Sequence, residues 1–199
     1  MRIPLPLLLL VVVISGCSKT PIVMTDQLQA SWHAHRDNIK KLTDWSIQGK
    51  VGLYTPDEAW PGELQWQQNS DQYDVRIIAP LGAGTMRVFS VEGGVVLEHS
   101  SEAGQRFSPD PESLLQQQFG WNIPIRHLRY WMVGLPSPLA SVKGEFQLDP
   151  QGRLQTLSQA GWTINFSRYK PSAGMMLPGK VLMEYEDLSV KVVVRKWQI

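Results

Sequence analysis

Trp45-Ser46-Ile47-Gln48-Gly49-Lys50-Val51-Gly52-Leu53 alternates strictly: Trp45, Ile47, Gly49, Val51 and Leu53 fall on one side, Ser46, Gln48, Lys50 and Gly52 on the other. Successive side chains of a strand point to opposite faces. A period of two therefore predicts a strand with one apolar face and one wet face. The pattern recurs downstream. Leu64 and Trp66 alternate with Glu63, Gln65 and Gln67, and Tyr73, Val75 and Ile77 with Asp74, Arg76 and the off-pattern Ile78. Met86 and Val88 follow, then Val95 and Leu97. Turn formers separate these runs: Thr55-Pro56-Asp57, Asn69-Ser70-Asp71, Pro80-Leu81-Gly82 and Gly93-Gly94. Short strands joined by tight turns predict an antiparallel meander.

Helices flank and interrupt the meander. Over 26–42, Leu28, Trp32, His35, Ile39 and Leu42 are three or four residues apart, with Asp26 as the expected N-cap. A second helix is expected to open at Asp110-Pro111 and to end at Gly120. A third starts at Pro124, carries Ile125, Leu128, Trp131 and Met132, and stops at Gly134 and Pro136. Strand patterning then resumes over 144–148 and 153–157, through Trp162, Ile164 and Phe166, and into a last hairpin turning near Glu186-Asp187. Ten or eleven strands with one apolar face each need a cover, and three helices are available. A strongly curved sheet with helices across its concave side satisfies this and can leave a cavity lined by large side chains. A β-sandwich or a filled barrel shares the same periodicity.

The N-terminus describes export. Arg2 precedes Leu5-Pro6-Leu7-Leu8-Leu9-Leu10-Val11-Val12-Val13-Ile14, too short to span a bilayer, and Ser15-Gly16 and the lone cysteine follow. Ile14-Ser15-Gly16-Cys17 resembles the bacterial lipobox. That resemblance implies cleavage of residues 1–16, a diacylglycerol thioether on Cys17 and an acyl chain on its new amino group. A single cysteine in an oxidising compartment has no disulfide partner, and several acyl chains suffice for stable membrane attachment. Residues 17–25 then form a lipid-anchored tether and 26–199 one domain. Ser18 is not the Asp that retains lipoproteins in the inner membrane of enteric-type bacteria, so the expected address is the outer membrane, facing the periplasm.

Removing residues 1–16 takes one of the 19 Lys+Arg (Arg2) and none of the 18 Asp+Glu, which leaves the charges balanced. A nucleic-acid binder would carry a basic excess, and composition gives no drive toward anionic lipid. The sequence contains neither Gly-x-Ser-x-Gly nor a phosphate loop, so no catalytic residue is expected. His33 and His35 lie two apart on a helix and cannot face one metal; with His99 and His127 they read as solvated surface histidines, and no metal site is expected. Leu81 stands at the tip of a tight connection, where it either projects into solvent or folds back onto a neighbouring strand.

Several segments carry a family resemblance: Trp45-Ser46-Ile47-Gln48-Gly49-Lys50-Val51, Leu64-Gln65-Trp66-Gln67-Gln68, Pro80-Leu81-Gly82, Leu128-Arg129-Tyr130-Trp131-Met132-Val133-Gly134-Leu135-Pro136, Ser158-Gln159-Ala160-Gly161-Trp162 and Trp197. In this order and spacing, the chain resembles the LolB family of outer-membrane lipoprotein receptors from about residue 30 to its end. Lys50 replaces the arginine usual there. The resemblance implies a mainly β fold with α, an open, incomplete antiparallel β-barrel of about 11 strands with a helical lid and an apolar cavity. It implies a monomer that takes acylated lipoprotein cargo from the periplasmic carrier LolA and inserts it into outer-membrane lipid, with no nucleotide and no cofactor beyond the covalent lipid. Leu81, with Pro80 and Gly82, matches the family's membrane-insertion loop. Trp45, Trp66, Trp131 and Trp162 are the candidate cavity or lid residues, with core packing the competing role for each. A structural lipoprotein that binds a protein partner, or an envelope hydrolase with an unfamiliar site, are the other classes open to such a chain.

Overall fold

The computed structural model describes residues 24–100, 104–141 and 144–199. Residues 1–23, with the expected signal, Cys17 and most of the tether, lie outside them.

Helix α1 (Asp26–Ile39) starts one residue earlier than its spacing suggests and ends at Ile39, short of the expected 42. Its N-cap is Thr25, not Asp26: Thr25 is extended, and its Oγ1 accepts a hydrogen bond from the Leu28 N–H at 3.2 Å. Asp26 sits in the first turn, where its charge meets the positive end of the helix dipole. Leu28, Trp32 and Ile39 are buried.

The sheet follows. Its first half comprises β1 (Asp44–Tyr54), β2 (Ala59–Asn69), β3 (Gln72–Ile78), β4 (Thr85–Val91), β5 (Gly94–His99) and β6 (Gln105–Ser108). Helices α2 (Pro111–Phe119) and α3 (Ile125–Met132) interrupt it. Its second half is β7 (Glu145–Leu148), β8 (Leu154–Gln159), β9 (Trp162–Ser167), β12 (Lys180–Tyr185) and β13 (Leu188–Gln198), with a separate hairpin of β10 (Lys170–Ser172) and β11 (Met175–Leu177) between β9 and β12. Eleven strands form one antiparallel sheet in the order β6-β5-β4-β3-β2-β1-β13-β12-β9-β8-β7. The edge strands β6 and β7 do not pair, so the barrel stays open.

The alternation over 45–53 holds. Trp45, Ile47, Val51 and Leu53 are buried on the inner side. Between Gln48 and Gly49 the register against β13 shifts by one residue. Gly49 makes that bulge possible, because a Cβ there would stand 2.2 Å from the Val193 carbonyl oxygen. In α2, Asp110 accepts from the Ser113 N–H at 3.2 Å and Gly120 closes the helix in the left-handed conformation (φ 71°). Trp131 and Met132 of α3 are wholly buried. The buried residues of all three helices and the inward side chains of the sheet form one core, so the helices cover the sheet's apolar face.

Two elements carry too little pattern to be read from sequence. Strand β6 is Gln-Arg-Phe-Ser at a sheet edge. The β10–β11 hairpin has three-residue strands, turned by Ala173 and Gly174 at φ 43° and 77°.

Candidate functional site: a walled cavity and an exposed loop

A cavity of about 840 Å³ opens between α1, α3, the segment after α3 and the first residues of β1. That is the size of a small-molecule site, roughly 300–1,000 Å³. Trp32, Ile39, Leu42, Trp45, Val133, Leu135 and Phe146 supply its apolar surface. His33, Arg36, Lys40, Asp71 and Arg129 also line it.

Two amides in the wall, Gln68 and Gln159, are 1% and 6% exposed. Gln68 accepts from Trp66 Nε1 at 3.0 Å and donates to the Ser70 carbonyl at 2.8 Å. Gln159 accepts from Trp131 Nε1 at 2.9 Å and from the Ser137 N–H at 2.8 Å, and donates to the Ser137 carbonyl at 2.9 Å. A buried amide left unpaired costs free energy, so these pairings take both amides out of competition for a ligand. The apolar part of the wall is thereby left without competing amides, while Arg36, Lys40, Asp71 and Arg129 place charged side chains around the same cavity.

The tryptophans divide. Trp45 lines the cavity and packs against Trp66 and Trp197, with ring centroids 5.2 and 5.4 Å away. Trp66 and Trp131 do not line it; they stand in the core and fix the two wall amides. Trp162, 2% exposed, stacks on Tyr185 and lies 6.2 Å from Trp131. Trp32 lines the cavity, although its helical spacing marked it only as a core residue.

Two histidines differ from the surface reading. His127 stacks on Trp131, and its Nδ1 lies 2.9 Å from Ser137 Oγ. Burial lowers its pKa, and Arg126 adds to that while Glu112 opposes it. His35 is half-buried between Trp32 and Tyr169, and its Nε2 has no hydrogen-bond partner. Burial first, then the Arg153 charge, lowers its pKa against the opposing pull of Asp149. Among the described residues, no group of three His, Cys, Asp or Glu could hold a metal ion.

The second feature joins β3 to β4. The Ala79 N–H donates to the Gly84 carbonyl at 2.9 Å, and the Ala83 N–H to the Pro80 carbonyl at 3.1 Å, closing one tight turn over Pro80–Gly82. Leu81 sits at its tip with φ 55° and ψ 25° and is fully exposed, at 105% of its reference area. Left-handed backbone costs a side-chain-bearing residue about 1–2 kcal/mol. An exposed leucine recovers none of that by burial. Ser70, Ala160, Arg168, Ala173 and Glu186 share the left-handed backbone and the exposure, so what sets Leu81 apart is a large apolar side chain wholly in solvent.

Cavity and loop lie at opposite ends of the same strands. Asp44 pairs with Asn69 and Asn69 with Gln72 beside the cavity's Thr43, Ser70 and Asp71. Glu63 pairs with Ile78 and Ile78 with Thr85 at the loop. The 7 residues of β3 between them span about 23 Å at the usual rise per residue.

Comparison with known proteins places the chain in a family. Residues 43–197 match the family model described as outer membrane lipoprotein LolB. The outer-membrane lipoprotein LolB of Pseudomonas putida (strain GB-1) is 40% identical over 167 residues, 84% of this chain and 80% of that protein. Its counterpart in Pseudomonas syringae pv. syringae (strain B728a) is 40% identical over 169 residues, 85% and 81% of the two chains. A solved LolA superfamily protein from Nitrosomonas europaea aligns with a TM-score of 0.49 and 9% identity, covering 86% of this chain and 93% of that one. By its match over most of its length, this chain belongs to the LolB family of outer-membrane lipoproteins, which act in lipoprotein localisation and are not enzymes.

Proposed function

We propose that this lipoprotein, anchored through acylated Cys17, accepts lipoproteins from the soluble carrier LolA into the cavity beneath α1 and α3. It then passes them to the outer-membrane bilayer at the Leu81 loop, as a monomer and without a nucleotide. The observation that carries this reading is the state of the cavity wall. Gln68 and Gln159 are buried there with their hydrogen bonds already made to the protein. The apolar stretch beside them, from Trp32, Ile39, Leu42, Trp45 and Phe146, suits acyl chains, and the charged side chains around it suit the polar part of the cargo.

Burial of each CH₂ is worth about 0.8 kcal/mol. A few methylenes better covered here than in the carrier set the direction of the first transfer, and full burial in the bilayer sets that of the second. Trp45 and Trp32 would contact the chain. Trp66, Trp131 and Trp162 would hold the wall in shape.

The test is binding of a fluorescent fatty acid to the mature chain made soluble by Cys17→Ala. Saturable binding that a triacylated peptide displaces, and its unacylated form does not, is the expected result. No binding would favour a structural lipoprotein that recognises a protein partner instead.

A further inference from the structure

The balanced charge of the chain hides a local imbalance. On the outer face of the sheet, beside the Leu81 loop, lies a groove of about 560 Å³. Lys50, Tyr54, Pro61, Ile78, Leu81 and Lys191 line it, with Glu63 as its one carboxylate. Register places these groups together: Lys50 lies across from Glu63 on β2 and from Val193 on β13, while Lys191 lies across from Gly52. Glu63 is shared. It is 4.0 Å from Lys50 Nζ and is also paired with Arg195. Lys191 makes no ion pair among the described residues and is exposed. Two lysines therefore line the groove with one carboxylate, which Arg195 also engages, beside a fully exposed apolar tip.

Tyr54 completes the surface. Gly52 has no side chain, and the Tyr54 ring lies over it; a Cβ at Gly52 would meet the ring hydroxyl at 2.5 Å. Tyr54 is itself 41% exposed. Amphipathic rings settle at headgroup level, and lysines carry their ammonium groups to the phosphates while their stems follow apolar surface. An apolar tip flanked by such groups matches the layering of a lipid interface.

We propose that Lys50 and Lys191 form a binding rim for the phosphates of anionic bilayer phospholipids, which orients the Leu81 loop toward the membrane. This rests on the reading of Leu81 as the inserted residue. The lysines add orientation and a preference for anionic lipid, and the leucine supplies the insertion.

The experiment measures binding of the mature Cys17→Ala chain to phosphatidylcholine vesicles with and without phosphatidylglycerol, at low and high salt. The parent binds the anionic vesicles more tightly, and salt weakens the preference. Lys50→Glu with Lys191→Glu reduces affinity for the anionic vesicles on the order of tenfold or more and leaves binding to phosphatidylcholine alone nearly unchanged. Lys50→Gln with Lys191→Gln gives a smaller loss in the same direction. Lys41→Glu with Lys196→Glu carries the same charge change elsewhere and keeps the preference. The proposal is overturned if the groove variants keep the preference, if the control pair loses it equally, or if inorganic phosphate at matched ionic strength abolishes it, since the groove would then take a free anion. Leu81→Glu reports on the underlying reading separately: it should lose binding to both vesicle types, and parent-like binding would sink that reading rather than the rim.

Discussion

At the cavity end of β1–β3, aromatic side chains are buried and the wall amides are hydrogen-bonded. At the other end, Leu81 stands in left-handed backbone with its whole side chain in solvent. The first end is mostly buried and paired, although Ser70 is left-handed there and Arg129 Nε is unpaired; the second puts a whole leucine side chain into solvent. Packing accounts for the cavity wall, so substitutions there act on stability first and, under the proposed function, on cargo binding as well. Burial does not explain Leu81. Substitutions should therefore damage fold and function together at one end and separate them at the other.

The largest effect is expected at Trp131. Trp131→Ala removes a fully buried indole and a partner of Gln159. It should lower unfolding free energy by about 3–5 kcal/mol in urea denaturation. Leu81→Ala in the same assay should stay within about 0.5 kcal/mol of the parent. Comparable losses from the two would erase the distinction.

Next is Gly152, which seats α1 over the cavity. Its φ is 75°, and a Cβ there would lie 2.6 Å from Ser31 Cβ and 2.8 Å from the Trp32 nitrogen. Gly152→Ala should cost about 1–3 kcal/mol and speed amide hydrogen exchange in α1 more than in β3 and β4. Uniform exchange across the molecule would argue that α1 is not separately seated.

Leu81→Gly should act in the opposite direction. It relieves left-handed strain and is expected to raise stability by up to about 1 kcal/mol, after allowance for glycine's greater freedom when unfolded. A loss of stability would mean that Leu81 makes contacts its exposure denies.

The pH response is the smallest expected effect. Burial lowers the pKa of His35 and of His127. The unfolded imidazoles take up a proton near pH 6.5 and the folded ones only at lower pH. The stability tied to their neutral forms is therefore present above about 6.5 and lost as pH falls through the folded values. Melting temperature should drop between pH 7 and 5.5, and less steeply in His127→Gln. An unchanged slope would show that His127 does not contribute.

Much of this was legible in the sequence. Period two in β1 and β2 marked the strands, and Asp110, Pro111 and Gly120 marked both ends of α2, because these signals arise from local backbone geometry. Thr25 and Asp26 are both capping residues in adjacent positions, and only the observed backbone decides between them. Strand β6 is held at its edge by pairing with β5 and needs no apolar rhythm of its own. The division of the tryptophans was not legible. Trp45, Trp66, Trp131 and Trp162 all lie on apolar faces, and which of them meets the cavity depends on how α1 and α3 cross the sheet. His35 and His127 read as solvated because their cover is shared between a tryptophan one helical turn away, Trp32 or Trp131, and a residue outside the helix, Tyr169 or Ser137, that spacing does not reveal. Leu81 was visible as a loop-tip leucine, while its exposure required the fold.

Under the proposed function, receipt and delivery are carried by separate parts of the molecule. Leu81→Glu tests it most directly, with two readouts on one purified variant: transfer of a lipoprotein from LolA, and incorporation of that lipoprotein into vesicles. The account predicts parent-like transfer with incorporation lost, leaving cargo bound to the variant. Normal incorporation, or failure to accept cargo from a folded variant, would contradict it.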